Sequence, residues 1–237
     1  MAMVEQDFVY FLILFLGPLI EILGSLLVQP LMPVQVQTSD QRMYKWRTSY
    51  LARINAGITG VWAVWALHHS PSLRTDLLHG SSPGAVYCLL FSLGVHVVET
   101  LEMILHSQYS LLTIHHVGAV ACCAGALASN PAHGFAIVCL VSEINTVFNK
   151  TRILHLVCDT DKFSLEYRVN AIINVATFFL RVLIVAWLHG QSFQVFVHLP
   201  NVFFTTCFLS MSFINVWNMS CFKTLVIKDI LRKPKLA

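Results

Sequence analysis

The sequence predicts an all-α protein, a polytopic transmembrane helical bundle of about seven spans. Three observations carry that reading. Hydrophobic residues make up 56% of the 237 positions and mean hydropathy is +0.68. Charged residues are only 11%, against about 25% in soluble domains, and so short a chain cannot hide that much apolar surface in a water-soluble core. Finally, apolar stretches near the roughly 20 residues needed to cross a bilayer recur along the chain, separated by short polar segments. The net charge of +3, from 15 Lys and Arg against 12 Asp and Glu, is too diffuse for a nucleic-acid footprint. Seven cysteines, an odd number without paired spacing, lie mostly in apolar stretches and read as small hydrophobes.

The first span is expected from about Phe8 to Met32. It lacks a basic start and an A-x-A-like site and is long for a signal h-region, so it reads as a span rather than a leader. The polar segment Gln35–Arg47 precedes a second span from about Ser49 to Leu67, and the turn-rich stretch His68–Gly84 precedes a third, Ala85 to Leu105. The fourth runs from about Ser110 to Ala128, and Asn130-Pro131 marks a tight turn into the fifth, His133 to Leu156. After the polar Asp159–Tyr167 come a sixth near Arg168–Leu188 and a seventh near Phe193–Phe222. The division expected is an N-terminal helix and loop over 1–39, a main domain over 40–225 and a basic tail over 226–237.

Lys and Arg set the orientation. Arg42, Lys45, Arg47, Lys150, Arg152, Lys162, Arg168 and the basic tail fall on one side, and the opposite loops carry only Arg74. The C-terminus is therefore expected in the cytosol. The closing Lys233-Pro234-Lys235-Leu236-Ala237 resembles a dilysine retrieval signal read by coat proteins, or serves as a basic tail on anionic lipid.

Ionisable groups inside hydrocarbon cost several kcal/mol and are functional-site candidates by default. Glu21, Arg53, Glu99, Glu102, His116, Glu143 and Arg181 all fall within expected spans, with His115 beside His116. Except for Glu21, they converge on the cytosolic half. Along the fifth span Glu143, Thr146 and Lys150 share one helical face, while Asn145, Asn149 and Arg152 form the adjacent stripe. Adjacent helical residues point about 100° apart, so His115 and His116 cannot both ligate one ion, and no metal is expected. One imidazole facing a buried carboxylate instead suits general-base or nucleophile work. His116 and Glu143 stand at similar heights on either side of the turn and are expected to pair.

The order of features resembles the TLC-domain family of polytopic lipid proteins, which includes the ceramide synthases. The carrying segments are Trp46 with the Arg53 span, Gly94–Glu99, Ile114-His115-His116, and Ser142 through Arg152, which is similar to the family's E-[LIV]-[ST]-x-x-F-x-x-x-R element. Tyr167–Asn170, Arg181 and Asn215–Asn218 also fit. Ceramide synthases carry an H-D-x-S-D pattern where this chain has Ser142, Glu143 and Thr146, so it looks like one of the small TLC members. The resemblance implies a six-helix barrel plus one N-terminal span, with a cavity that holds an acyl chain.

It also implies acyl transfer from acyl-CoA or an acyl lipid onto a lipid acceptor, in ceramide or phospholipid metabolism. His115 or His116 would deprotonate the acceptor or carry the acyl group, and Glu143 would orient the imidazole. Arg53, Glu99, Asn145, Asn149, Arg152 and Arg181 would line the substrate site. No permanently bound cofactor is expected, acyl-CoA being a co-substrate. The alternative is a non-catalytic regulator of phospholipid composition and membrane fluidity. The expected partners are membrane lipid and the bilayer, and the expected location is the endoplasmic reticulum, with the plasma membrane as the alternative.

Overall fold

The computed structural model describes residues 2–107, 111–129, 132–195 and 201–231, and every element among them is helical. The expected turn at Asn130-Pro131, the stretch 196–200 of the expected seventh span and the dilysine-like end lie outside the described residues. The chain forms two compact units, one of residues 1–28 with 57–143 and one of residues 29–56 with 144–237.

The first unit is built around α4 (Pro83–Leu105). Ser82 caps it by accepting the Ala85 N–H at 3.2 Å, and Pro83 fills the first helical position, where its missing N–H costs nothing. On one side lies α1 (Ala2–Leu27) and on another α5 (Leu111–Ser129). The α1–α4 crossing is very close because glycines face it from both helices. A Cβ at Gly94 would stand 2.2 Å from the Leu14 carbonyl oxygen, and one at Gly17 would stand 2.9 Å from that of Phe91. The short α3 (Pro71–Thr75) and α6 (His133–Val141) close this unit. Its apolar core gathers Ala63, Ala66, Leu73, Ala85, Cys88, Leu89, Cys123, Ala126, Ile137 and Leu140.

The second unit holds the start of α2 (Asp40–His69), then α7 (Glu143–Val157), α8 (Leu165–Val195) and α9 (Asn201–Leu225), ending in a π turn over Val226–Ile230. From Asp40 onward the polar segment Gln35–Arg47 is the first part of α2; the Ser39 hydroxyl accepts the Arg42 N–H at 3.3 Å and starts the helix. The Ser164 hydroxyl does the same for α8 through the Tyr167 N–H. Within this unit Arg42 donates to the Val157 carbonyl at 2.5 Å and pairs with Asp159.

Among the described residues, four helices are long and apolar enough to cross a membrane: Asp7–Leu27, Pro83–Leu105, Leu111–Ala128 and Leu165–Ser192. The side chains exposed along them, such as Phe11, Phe15, Leu101, Val117, Ile172 and Leu180, are apolar, as lipid contact requires. The fifth expected span divides into α6 and α7. The Ser142 N–H bonds to Cys139 at i−3, a local tightening that ends one helix and starts the next. The protein is an integral membrane protein of the helical-bundle kind.

Candidate functional site

In the first unit, the polar centre assembles on α4 and α5. His96 and Glu99 sit three residues apart on α4, so both side chains leave the same face. The packing of α5 on α4 brings in His116. His116 Nδ1 stands 3.3 Å from Glu99 Oε2, and His96 Nδ1 stands 3.6 Å from the same oxygen. All three side chains are nearly enclosed, at 13% exposure for His96, 15% for Glu99 and 12% for His116. The rings of His96 and His116 meet edge to face with centroids 5.4 Å apart. His115 keeps its ring 5.8 Å from that of His116 and nearly perpendicular to it. The two neighbouring histidines therefore point apart, as helical geometry demands, yet border one region.

A carboxylate set against His116 is Glu99, from the preceding helix, a pairing the sequence reading gave to Glu143. Glu143 opens α7 and is half-buried. His96 was not singled out from the sequence. A lone histidine in an apolar helix reads as core, although its spacing three residues before Glu99 was the available signal.

In the second unit the remaining candidates enter separate arrangements. Asn145, almost fully buried, donates to the Asn174 side-chain oxygen at 3.1 Å and to Thr177 at 3.0 Å, tying α7 to α8. Arg181 donates to the Thr146 hydroxyl at 3.1 Å. Arg152, expected to line the substrate site, donates from two nitrogens to Asp229, which also accepts from the Tyr167 hydroxyl at 2.9 Å. The Asp229 side chain is 1% exposed, so Arg152 serves here to balance a buried carboxylate of the π turn. Arg53 stacks over the Tyr50 ring at 4.8 Å, and Asn149 is half-buried on α7.

Residues 45–227 match the family profile described as the TLC domain. The chain belongs to the TLC-domain family. TLC domain-containing protein 2 of Danio rerio is 29% identical to it over 157 residues, 64% of this chain and 63% of that protein. TLC domain-containing protein 1 of Gallus gallus is 23% identical over 150 residues, 62% and 59% of the respective chains. TLC domain-containing protein 2 of Mus musculus is 28% identical over 162 residues, covering 67% of this chain and 51% of that protein. The match thus spans less than two thirds of the length of these relatives. TLC-domain proteins are membrane proteins linked to lipid metabolism or sensing. Both the imidazole–carboxylate cluster and the Glu143–Arg152 element fall inside the matched TLC region.

Chemically, an imidazole held by a carboxylate can take up a proton and keep the resulting charge, the basis of general-base and acyl-carrier work. The second imidazole on the same oxygen widens what the centre can hold. Among the described residues, His96, Glu99 and His116 also form a group whose potential ligand atoms all lie within 4.8 Å of one another. The six described cysteines are free thiols.

Proposed function

We propose that the chain transfers an acyl group to a lipid acceptor inside the membrane, with the α4–α5 histidine centre as the reaction site. The observation that carries this reading is the 3.3 Å approach of His116 to Glu99 in a nearly enclosed setting. His115, whose ring borders that of His116, removes the proton from the acceptor hydroxyl or amine. The acceptor oxygen or nitrogen then attacks the acyl carbonyl of a thioester or acyl lipid. The Nε2 side of the His116 ring, braced through Nδ1 by Glu99, faces the oxyanion that forms. Collapse of the tetrahedral intermediate breaks the carbonyl–sulfur or carbonyl–oxygen bond. The proton on His115 passes to the leaving thiolate or alkoxide, so the ester or amide product and the free thiol or alcohol balance. Glu143 is the candidate to orient His115. Acyl-CoA is the donor that suits a site opening to the cytosol, and the endoplasmic reticulum with a cytosolic C-terminus is the setting this reading favours.

The purified full chain in nanodiscs, given radiolabelled long-chain acyl-CoA and phospholipid or sphingoid acceptors, should form labelled lipid product. Replacing His115 by Ala should lower turnover by about 10²–10⁴-fold while the thermal midpoint holds. Turnover unchanged in both His115→Ala and His116→Ala sinks the assignment.

A specific observation favours a second reading, a non-catalytic regulator of membrane lipid composition. Thr146, where ceramide synthases carry a second acid, spends its hydroxyl on Arg181, and Arg152 is engaged by Asp229. If wild-type chain forms no product with any donor, yet His116→Ala abolishes its effect on cellular phospholipid acyl composition, the regulator reading stands instead.

A further inference from the structure

We propose that His96, Glu99 and His116 form a binding site for a divalent first-row transition metal, held between α4 and α5. The inference uses the centre assigned above but not its chemistry.

Two imidazole nitrogens, one from each helix, converge on a single carboxylate oxygen at 3.3 and 3.6 Å. A tetrahedral ion with ligands at about 2.0–2.1 Å sets neighbouring ligand atoms roughly 3.3–3.4 Å apart. Both observed edges therefore match those of a coordination polyhedron to within a few tenths of an ångström. The third edge closes within 4.8 Å, so a small rotation of one ring completes the set.

Charge argues the same way. Glu99 lies in the apolar helix Pro83–Leu105, where an uncompensated carboxylate costs several kcal/mol. A divalent cation offsets that charge at any pH at which the imidazoles are deprotonated, whereas a protonated histidine offsets it only at lower pH. The donor set also selects the ion. Two imidazoles and one carboxylate suit borderline metals, zinc in a three-ligand site with an open fourth position or iron(II) in a facial triad, and disfavour calcium and magnesium. His115, whose ring lies 5.8 Å from that of His116, borders the site without being a ligand. There a bound ion polarises a carbonyl or phosphoryl oxygen of a lipid.

The test measures metal directly and needs no acyl donor. Wild-type chain purified without chelator or histidine tag, reconstituted in nanodiscs, is assayed by elemental mass spectrometry, with zinc and iron read as separate arms. The expected result is about one equivalent of one of them per chain. His96→Ala, Glu99→Gln and His116→Ala should each lower it at least tenfold, and His189→Ala should retain it. Because a substitution in a helix interface can unfold the protein, the second measurement uses wild type alone. Cobalt(II) added to chelator-stripped protein should give the visible absorption of a four-coordinate nitrogen and oxygen site, competed away by zinc. Metal below a tenth of an equivalent in wild type, with no cobalt spectrum, overturns the inference. So does metal retained in all three variants. Stoichiometric metal without acyl transfer upholds the site and counts against the proposed reaction instead.

Discussion

Asn145 shows how a single position commits a membrane helix. Its amide donates to Asn174 and Thr177 from a site with almost no exposure, and inside a bilayer neither acceptor finds water as a substitute. Replacing Asn145 by Ala should lower stability by about 1–2 kcal/mol, read as a fall in the thermal midpoint in detergent. An unchanged midpoint would show that the α7–α8 contact rests on packing alone. The sequence marked Asn145 as part of a polar stripe but not its partner. Asn174 lies in a helix whose hydropathy is among the highest of the four spans, and one amide in such a run carries no signal of direction. His96 was hidden the same way, since only the packing of α5 on α4 turns it into a neighbour of His116.

Helices and turns depend on similarly few groups. The π turn Val226–Ile230 is held by Asp229, which reaches Arg152 on α7 and Tyr167 on α8. Asp229→Asn should destabilise the chain by about 3–5 kcal/mol, the cost of leaving a buried guanidinium uncompensated. The double variant Arg152→Leu with Asp229→Leu should recover much of that loss, and a double variant no better than the single would contradict the pairing. Before α4, Asp76 accepts the N–H groups of Leu78 and His79 and meets the His79 ring. The backbone N–H of His79 first, and then its ring, hold the Asp76 carboxyl below the ordinary carboxylate range. A depressed pKa stabilises above the unfolded value, near about 3.9, and that support is lost as pH falls through the folded value. The segment around residue 76 should therefore stay ordered at pH 5 and open only in stronger acid, whereas Asp76→Ala should open it already at neutral pH. Hydrogen exchange normalised to intrinsic rates reads both; identical protection in variant and wild type at neutral pH would remove the carboxylate from the account. Ser82-Pro83, placed by the sequence in the turn-rich stretch before the third span, caps and opens α4 instead. The division at Ser142 was not legible. No Gly or Pro announces it, and the change from the apolar run 135–141 to Ser142-Glu143 reads equally well as one helix acquiring a polar face.

At the scale of the whole molecule, composition was enough to identify a helical membrane protein, because 11% charge leaves a chain of this length no soluble alternative. Span bookkeeping was less secure. Arg42, Lys45 and Arg47 lie in the polar segment placed ahead of the second span, yet they ride on α2, because long basic side chains can carry their charged ends away from the apolar surface along which their stems lie. The α1–α4 crossing sets the tolerance of the first unit. Gly94→Val would drive a side chain into the Leu14 carbonyl, which no rotamer change on α1 can relieve. Its yield of monodisperse protein should fall sharply, while Gly118→Ala, with open space around its site, should purify like wild type; equal yields would mean the helices separate readily. The same crossing has a meaning for biogenesis. Gly17 leaves the ribosome about 77 residues ahead of Gly94, a wait of roughly 4–15 s at ordinary synthesis rates. For that interval α1 stands in the membrane without the helix it is shaped to meet. An insertion chaperone or the translocon itself has to keep that face from another partner until α4 arrives.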